Sequence, residues 1–120
     1  MSEWVVPFNK QKAIQALEES FLRGPVIDDT GLLEITEAEV GRLGSLKIEI
    51  YSREHPPPHF RVSHQGQTAD YQISDCEQIK GGLRKFYRNV RQWHVENKQL
   101  LIDTWNSRRP TDCPVGYFRA

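Results

Sequence analysis

Three consecutive prolines, Pro56, Pro57 and Pro58, stand between two stretches that alternate apolar and polar residues. A proline fixes φ near about −65° and carries no amide donor. Each residue before a proline is also pushed toward extended backbone. The run is therefore a stiff, polyproline-like rod that belongs neither to a helix nor to the middle of a sheet. On its N-terminal side Leu46, Ile48 and Ile50 face one way, and Lys47, Glu49 and Tyr51 the other. On its C-terminal side Phe60 and Val62 alternate with Arg61 and Ser63. This two-residue period predicts half-buried strands on both sides of the rod. A third alternating run, Thr68 to Ile73, follows Gln65-Gly66-Gln67, where Gly66 can take positive φ. These runs predict an antiparallel meander of three strands, or four if Ser74 to Lys80 adds a short one.

Helical spacing dominates elsewhere. Ala13, Ile14, Leu17, Phe21 and Leu22 recur on one face after Asn9, a candidate N-cap, with Lys10, Lys12, Gln15, Glu18 and Glu19 opposite. Gly24-Pro25 predicts the stop. After Gly81-Gly82, Leu83, Tyr87, Val90, His94, Asn97, Leu101 and Trp105 share one stripe, widened by Phe86 and Trp93, of a long helix ending near Asn106-Ser107. Between the helices and the meander, Asp28-Asp29-Thr30-Gly31 reads as an exposed turn. Thr36 to Glu39 reads as a capping box opening a short helix. Trp4 to Phe8 reads as an apolar lead-in broken by Pro7. The expected class is α+β, a small antiparallel sheet against a long C-terminal helix and an N-terminal helix. A chain of 120 residues fits one domain. Its divisions are an N-terminal helical extension over 1–45, the meander and helix over 46–109, and a tail over 110–120 whose Val115, Tyr117 and Phe118 favour folding back onto the body.

The formal net charge is zero, which argues against strong nonspecific binding to nucleic acid. The charge is uneven. Residues 1–45 hold four basic and eight acidic side chains, a net of −4, and residues 46–120 hold twelve basic and eight acidic, a net of +4. Cys76 and Cys113 are far apart in sequence, and the chain opens Met1-Ser2-Glu3-Trp4 without a signal peptide, so two free thiols in a reducing cytoplasm are expected. No apolar run reaches the roughly 18 residues of a membrane helix.

Chemistry-bearing residues fall into three groups. His55 and His59 bracket the proline rod. In polyproline geometry four residues span about 12 Å, too far for two ligands of one ion unless the side chains fold inward. No metal and no cofactor is expected there, and His59 serves equally well as a hydrogen-bonding end of the meander. Parity then places Glu49, Tyr51, Arg61 and Asp70 on the wet face of the sheet, near Arg53 and His59. This set reads either as an acid–base site or as ordinary cross-strand ion pairs, and it contains no nucleophile with its base. Lastly, Lys80, Arg84, Lys85, Arg88 and Arg91 form a basic run without an acid, and Arg84, Arg88 and Arg91 form one helical stripe.

The segment His55-Pro56-Pro57-Pro58-His59-Phe60-Arg61-Val62 resembles the signature of a family of small bacterial proteins of unknown function, His-x-Pro-Pro-His-Phe-His-Val between two strands, followed by a helix with spaced tryptophans. The resemblance covers roughly Leu46 to Trp105. It departs at Arg61, where the family pattern has a third histidine. It implies a small α+β domain and an association with toxin–antitoxin-like gene pairs. Three functions remain open on the sequence. One is a non-enzymatic interaction module whose binding surface is His55, His59, Arg61, Arg84, Arg88 and Arg91, with an acidic protein partner preferred over nucleic acid. The second is a nucleic-acid-binding protein using the basic helix. The third is a small metal-dependent or histidine-based hydrolase at His55, His59 and Arg61.

Overall fold

The computed structural model describes residues 4–26, 44–52 and 58–108. Strands β1 (Trp4–Pro7), β2 (Lys47–Ser52), β3 (His59–His64), β4 (Gln67–Gln72) and β5 (Gln78–Gly81) form one antiparallel sheet in sequence order. Helix α1 (Gln11–Arg23) follows β1, and a 3-10 turn (Arg84–Phe86) leads into α2 (Tyr87–Arg108). The α+β class is as expected, but the sheet has five strands rather than three or four. The apolar lead-in is β1, because a proline is compatible with an edge strand when its missing amide faces outward. The short strand after Ile73 is β5, set off by an irregularity between Asp70 and Tyr71.

Gln65 and Gly66 both take positive φ, 50° and 80°, so β3 and β4 are joined by a two-residue turn of the kind that matches strand twist. That turn fixes the register: His64 faces Gln67, and therefore Arg61 faces Asp70. The core lies between one face of the sheet and the helices. Ile48, Ile50, Phe60, Val62, Tyr71 and Ile73 meet Leu17 and Phe21 of α1 and Val90, Trp93, Leu101 and Trp105 of α2. Burying each large side chain contributes about 1.5–3 kcal/mol.

Polar bonds fasten the helices to one another. Trp93 Nε1 donates to the Ala13 carbonyl at 2.8 Å. Asn89, 1% exposed, donates to the carbonyls of Ser20 and Gly24 and to Ser20 Oγ, while its own carbonyl accepts from Val26 N. It thus satisfies the end of α1, which stops at Gly24 (φ +102°). The N-cap of α1 is Lys10 rather than Asn9, and it makes no side-chain cap bond.

Glu18 departs furthest from its expected position on the polar side of α1. It is 2% exposed, and its carboxylate accepts from the amides of Gly44, Ser45 and Leu46 and from Ser45 Oγ. The chain crosses α1 at this point on its way into β2, which helical periodicity does not encode. The turn at 28–31, the capping box at 36–39, Arg53, His55, Pro56, Pro57 and the tail from Thr111, with Cys113, lie outside the described residues. No described helix is long and apolar enough to cross a membrane.

Candidate functional site

The sheet face turned away from the helices carries a row of alternating charge across four strands. Glu49 faces Arg61, Arg61 faces Asp70, and Asp70 faces Lys80. One step along, Tyr51 faces His59 and His59 faces Gln72. Tyr51 Oη reaches diagonally to donate to Asp70 Oδ2 at 2.9 Å. Arg61 donates from Nε to Oδ1 at 2.8 Å and from Nη2 to Oδ2 at 3.4 Å. The Arg61 guanidinium also lies over the Tyr51 ring, 4.5 Å from its centre. Lys80 Nζ stands 3.7 Å from Asp70 Oδ2, and Lys47 Nζ 3.9 Å from Glu49.

This corrects the expectation of a wet face. Tyr51 is 3% and Asp70 2% exposed, while the Arg61 and Glu49 side chains keep about a fifth of their surface. Parity determines the face of a side chain and leaves its depth open. Here Arg61 arches over both Tyr51 and Asp70. Asp70 is a buried carboxylate surrounded by donors, an arrangement that makes a rigid polar platform. No serine, threonine or cysteine in this group is paired with a base by the bonds seen here, so the face holds no nucleophile–base unit among the described residues.

The described histidines occupy separate places. His59, half-buried at the start of β3, has its ring 5.5 Å from that of Tyr51. His64 faces the core, edge-on to Phe21 at 5.2 Å, and its buried Nε2 meets no partner among the described residues. Burial pushes its pKa below 6.5, with Glu18 opposing. His94 stacks on Phe60, and its Nε2 bonds the Ile73 carbonyl. Burial pushes its pKa down, against that bond. Among the described residues no three His, Cys, Asp or Glu side chains come together as metal ligands. Cys76 is buried, and desolvation pushes its thiol up to about 12 with Arg91 opposing, so the free thiolate is scarce.

The basic run is exposed. Arg84 and Lys85 lie in the 3-10 turn, and Arg88 and Arg91 on the first turns of α2. Arg91 sits over the Tyr87 ring at 5.7 Å and Lys85 over Phe86 at 5.1 Å. The run starts beside the β3–β4 turn, where Gln67 Oε1 accepts from Leu83 N. His59 is at the other end of β3 and on the opposite face of the sheet. His59 and the helix that carries Arg88 and Arg91 therefore lie on opposite faces of the sheet, although α2 runs back toward that end of β3, where His94 stacks on Phe60. Lys80, which the sequence placed only in the basic run, is the residue that joins that run to the Arg61–Asp70 platform. The charge row was readable in principle, since a two-residue turn at Gln65-Gly66 dictates the pairing of Arg61 with Asp70.

Residues 46–106 match the family described as Domain of unknown function (DUF4160). The chain belongs to this family. No curated protein and no solved structure matches it. The DUF4160 region runs from the residue before β2 almost to the end of α2, close to the Leu46–Trp105 extent of the resemblance noted above. It contains the Tyr51–Arg61–Asp70 platform, Lys80 and the whole basic run. Strand β1, helix α1 and Glu18 lie outside it.

Proposed function

We propose that this DUF4160 protein is a non-enzymatic interaction module of the bacterial cytoplasm, one member of a toxin–antitoxin-like pair, whose partner is an acidic protein. The observation that carries this reading is the exposed run Lys80, Arg84, Lys85, Arg88 and Arg91, which no acidic residue interrupts. Arginine forks onto carboxylates as well as phosphates. A net charge of zero gives little of the long-range attraction that nonspecific nucleic-acid binders use, which favours a protein partner. The buried platform beneath Lys80 supports the same reading, since its hydrogen bonds hold the side chains of Tyr51, Arg61 and Asp70 in place.

The test is capture of the product of the adjacent gene by purified protein. Arg84→Glu and Arg88→Glu should each melt within a few degrees of the unaltered protein and weaken capture at least tenfold, about 1.4 kcal/mol. His59→Ala, on the other face, should leave capture nearly intact. Tight, steeply salt-dependent binding of RNA or DNA, abolished by the same arginine changes, would transfer the surface to a nucleic-acid role and refute this one.

A further inference from the structure

We propose that the pocket formed by Arg61, Thr68, Asp70, Lys80 and Gly81 is a socket for one carboxylate side chain of the acidic partner, an inference that rests on the interaction reading above. The pocket encloses 210 Å³. Its floor is Asp70, whose two oxygens already accept from Tyr51 and Arg61. Lys80 is differently placed. Its side chain is 55% exposed, and its ion pair at 3.7 Å is longer than a good charge-assisted hydrogen bond. Asp70 is its only ion-pair partner among the described residues. An ammonium carries three N–H donors, so Lys80 keeps donors for a ligand at the mouth. The exposed Thr68 hydroxyl lies on the same rim.

Gly81 sets the spacing between the two strands that line the socket. A Cβ there would stand 2.3 Å from the Thr68 carbonyl oxygen and 2.6 Å from Ala69 Cα, at φ +105°. Only glycine lets β5 approach β4 this closely without tilting away. Charge then selects the occupant. Among the residues that line the pocket, Arg61 and Lys80 supply two positive charges and Asp70 one negative, a net of +1, with Glu49 facing Arg61 from outside the lining. A carboxylate, carrying one negative charge, neutralises the site. A phosphate dianion would leave an excess beside the Asp70 carboxylate, where like charges repel. A glutamate or aspartate reaching in from a bound protein would bond Lys80 Nζ and Thr68 Oγ1 above a floor already held in place.

The experiment titrates the ¹⁵N-labelled full chain with N-acetyl-glutamate N-methylamide. N-acetyl-glutamine N-methylamide and inorganic phosphate are the comparisons. Saturable amide shifts centred on Thr68, Lys80 and Gly81 are expected with the glutamate compound, none with the glutamine compound, and weaker ones with phosphate. Lys80→Met should reduce the affinity about tenfold at unchanged melting temperature, Lys80→Arg should restore it, and Arg88→Met should leave it alone. Equal shifts from the glutamine compound, tighter binding of phosphate, or indifference to Lys80→Met would each overturn the socket. Loss of the socket with capture of the neighbour intact overturns this inference alone. A glutamate-specific, Lys80-dependent site in a protein that captures no partner upholds the socket and overturns the interaction reading.

Discussion

Replacing Glu18 tests the account of how the two parts of the chain are fastened. Glu18→Ala removes the acceptor for three amides and one hydroxyl. Leu46 is 5% exposed, so its amide loses its partner without gaining water, at a cost of about 1–3 kcal/mol. Gly44 and Ser45 are exposed and can bond water, so their losses are nearer 0.5–1.5 kcal/mol each. The total is roughly 4 kcal/mol, or about 15 °C in melting temperature for a chain of this size. Glu18→Gln keeps one carbonyl acceptor and should cost about half as much. Acid supplies the second arm. Burial alone would raise the Glu18 pKa, but the bonds from Gly44, Ser45 and Leu46 outweigh it and hold the value below 4.5. A depressed carboxyl stabilises the fold above its unfolded pKa and loses that contribution as pH falls through the folded value. The difference between unaltered protein and Glu18→Gln should therefore be full near pH 7 and shrink below about pH 4.5. Thermal melts followed by circular dichroism at both pH values decide the matter. A Glu18→Ala melt within about 3 °C of the unaltered protein at pH 7 would refute the reasoning.

Ile48→Asp should unfold the protein, since it puts an unpaired charge at a position 1% exposed, whereas Lys47→Asp should stay within about 1 kcal/mol, and equal tolerance in denaturant titrations would contradict the register of β2. Gly81→Ala should destabilise by about 1–3 kcal/mol and speed amide exchange across β5 before the rest of the sheet; uniform protection would show that the close approach to β4 is not maintained in solution. His64 has a folded pKa depressed by burial, so the unfolded chain takes up a proton first as pH falls through about 6.5, and stability is full above that value and erodes below it. His64→Phe should therefore lose less melting temperature than the unaltered protein between about pH 7.5 and 5.5, with His94 keeping part of the slope; an unchanged slope would exclude His64 as a source.

What the sequence revealed followed the length scale of each interaction. The strands β2, β3 and β4 were visible because alternation is local, and the stripe of α2 because its spacing is local as well. Strand β1 was hidden by Pro7, which looked like an interruption and is a tolerated edge residue. Strand β5 shows in the sequence only as an alternative to a loop within Ser74 to Lys80, because Ile79 is its one apolar residue and its irregular register breaks the period. Asp70 and Tyr51 were assigned to the correct face at the wrong depth, because depth depends on Arg61 folding over them from a neighbouring strand. Glu18 and Asn89 were missed altogether. Their partners are 26 and 69 residues away, at Gly44 and Ser20, and no pattern within one helix announces such a bond.

The two outer strands bear on how the protein behaves when concentrated. Phe8 N bonds the Ile48 carbonyl, so ladder alternation turns the backbone groups of Val5 and Pro7 outward, and Pro7 has no amide to offer. At the other side Gly82 N bonds the Thr68 carbonyl, which turns Gly81 outward, and the Gln78 side-chain amide already occupies the Gly81 carbonyl at 3.2 Å. Val5 and Ile79, among the few large apolar side chains left exposed, sit on these strands, where a flat open edge would invite strand-by-strand polymerisation. A missing amide on one side and an occupied carbonyl on the other interrupt the template for such growth at one position on each edge, so aggregation of this protein should begin more readily from an unfolded chain than from the native sheet.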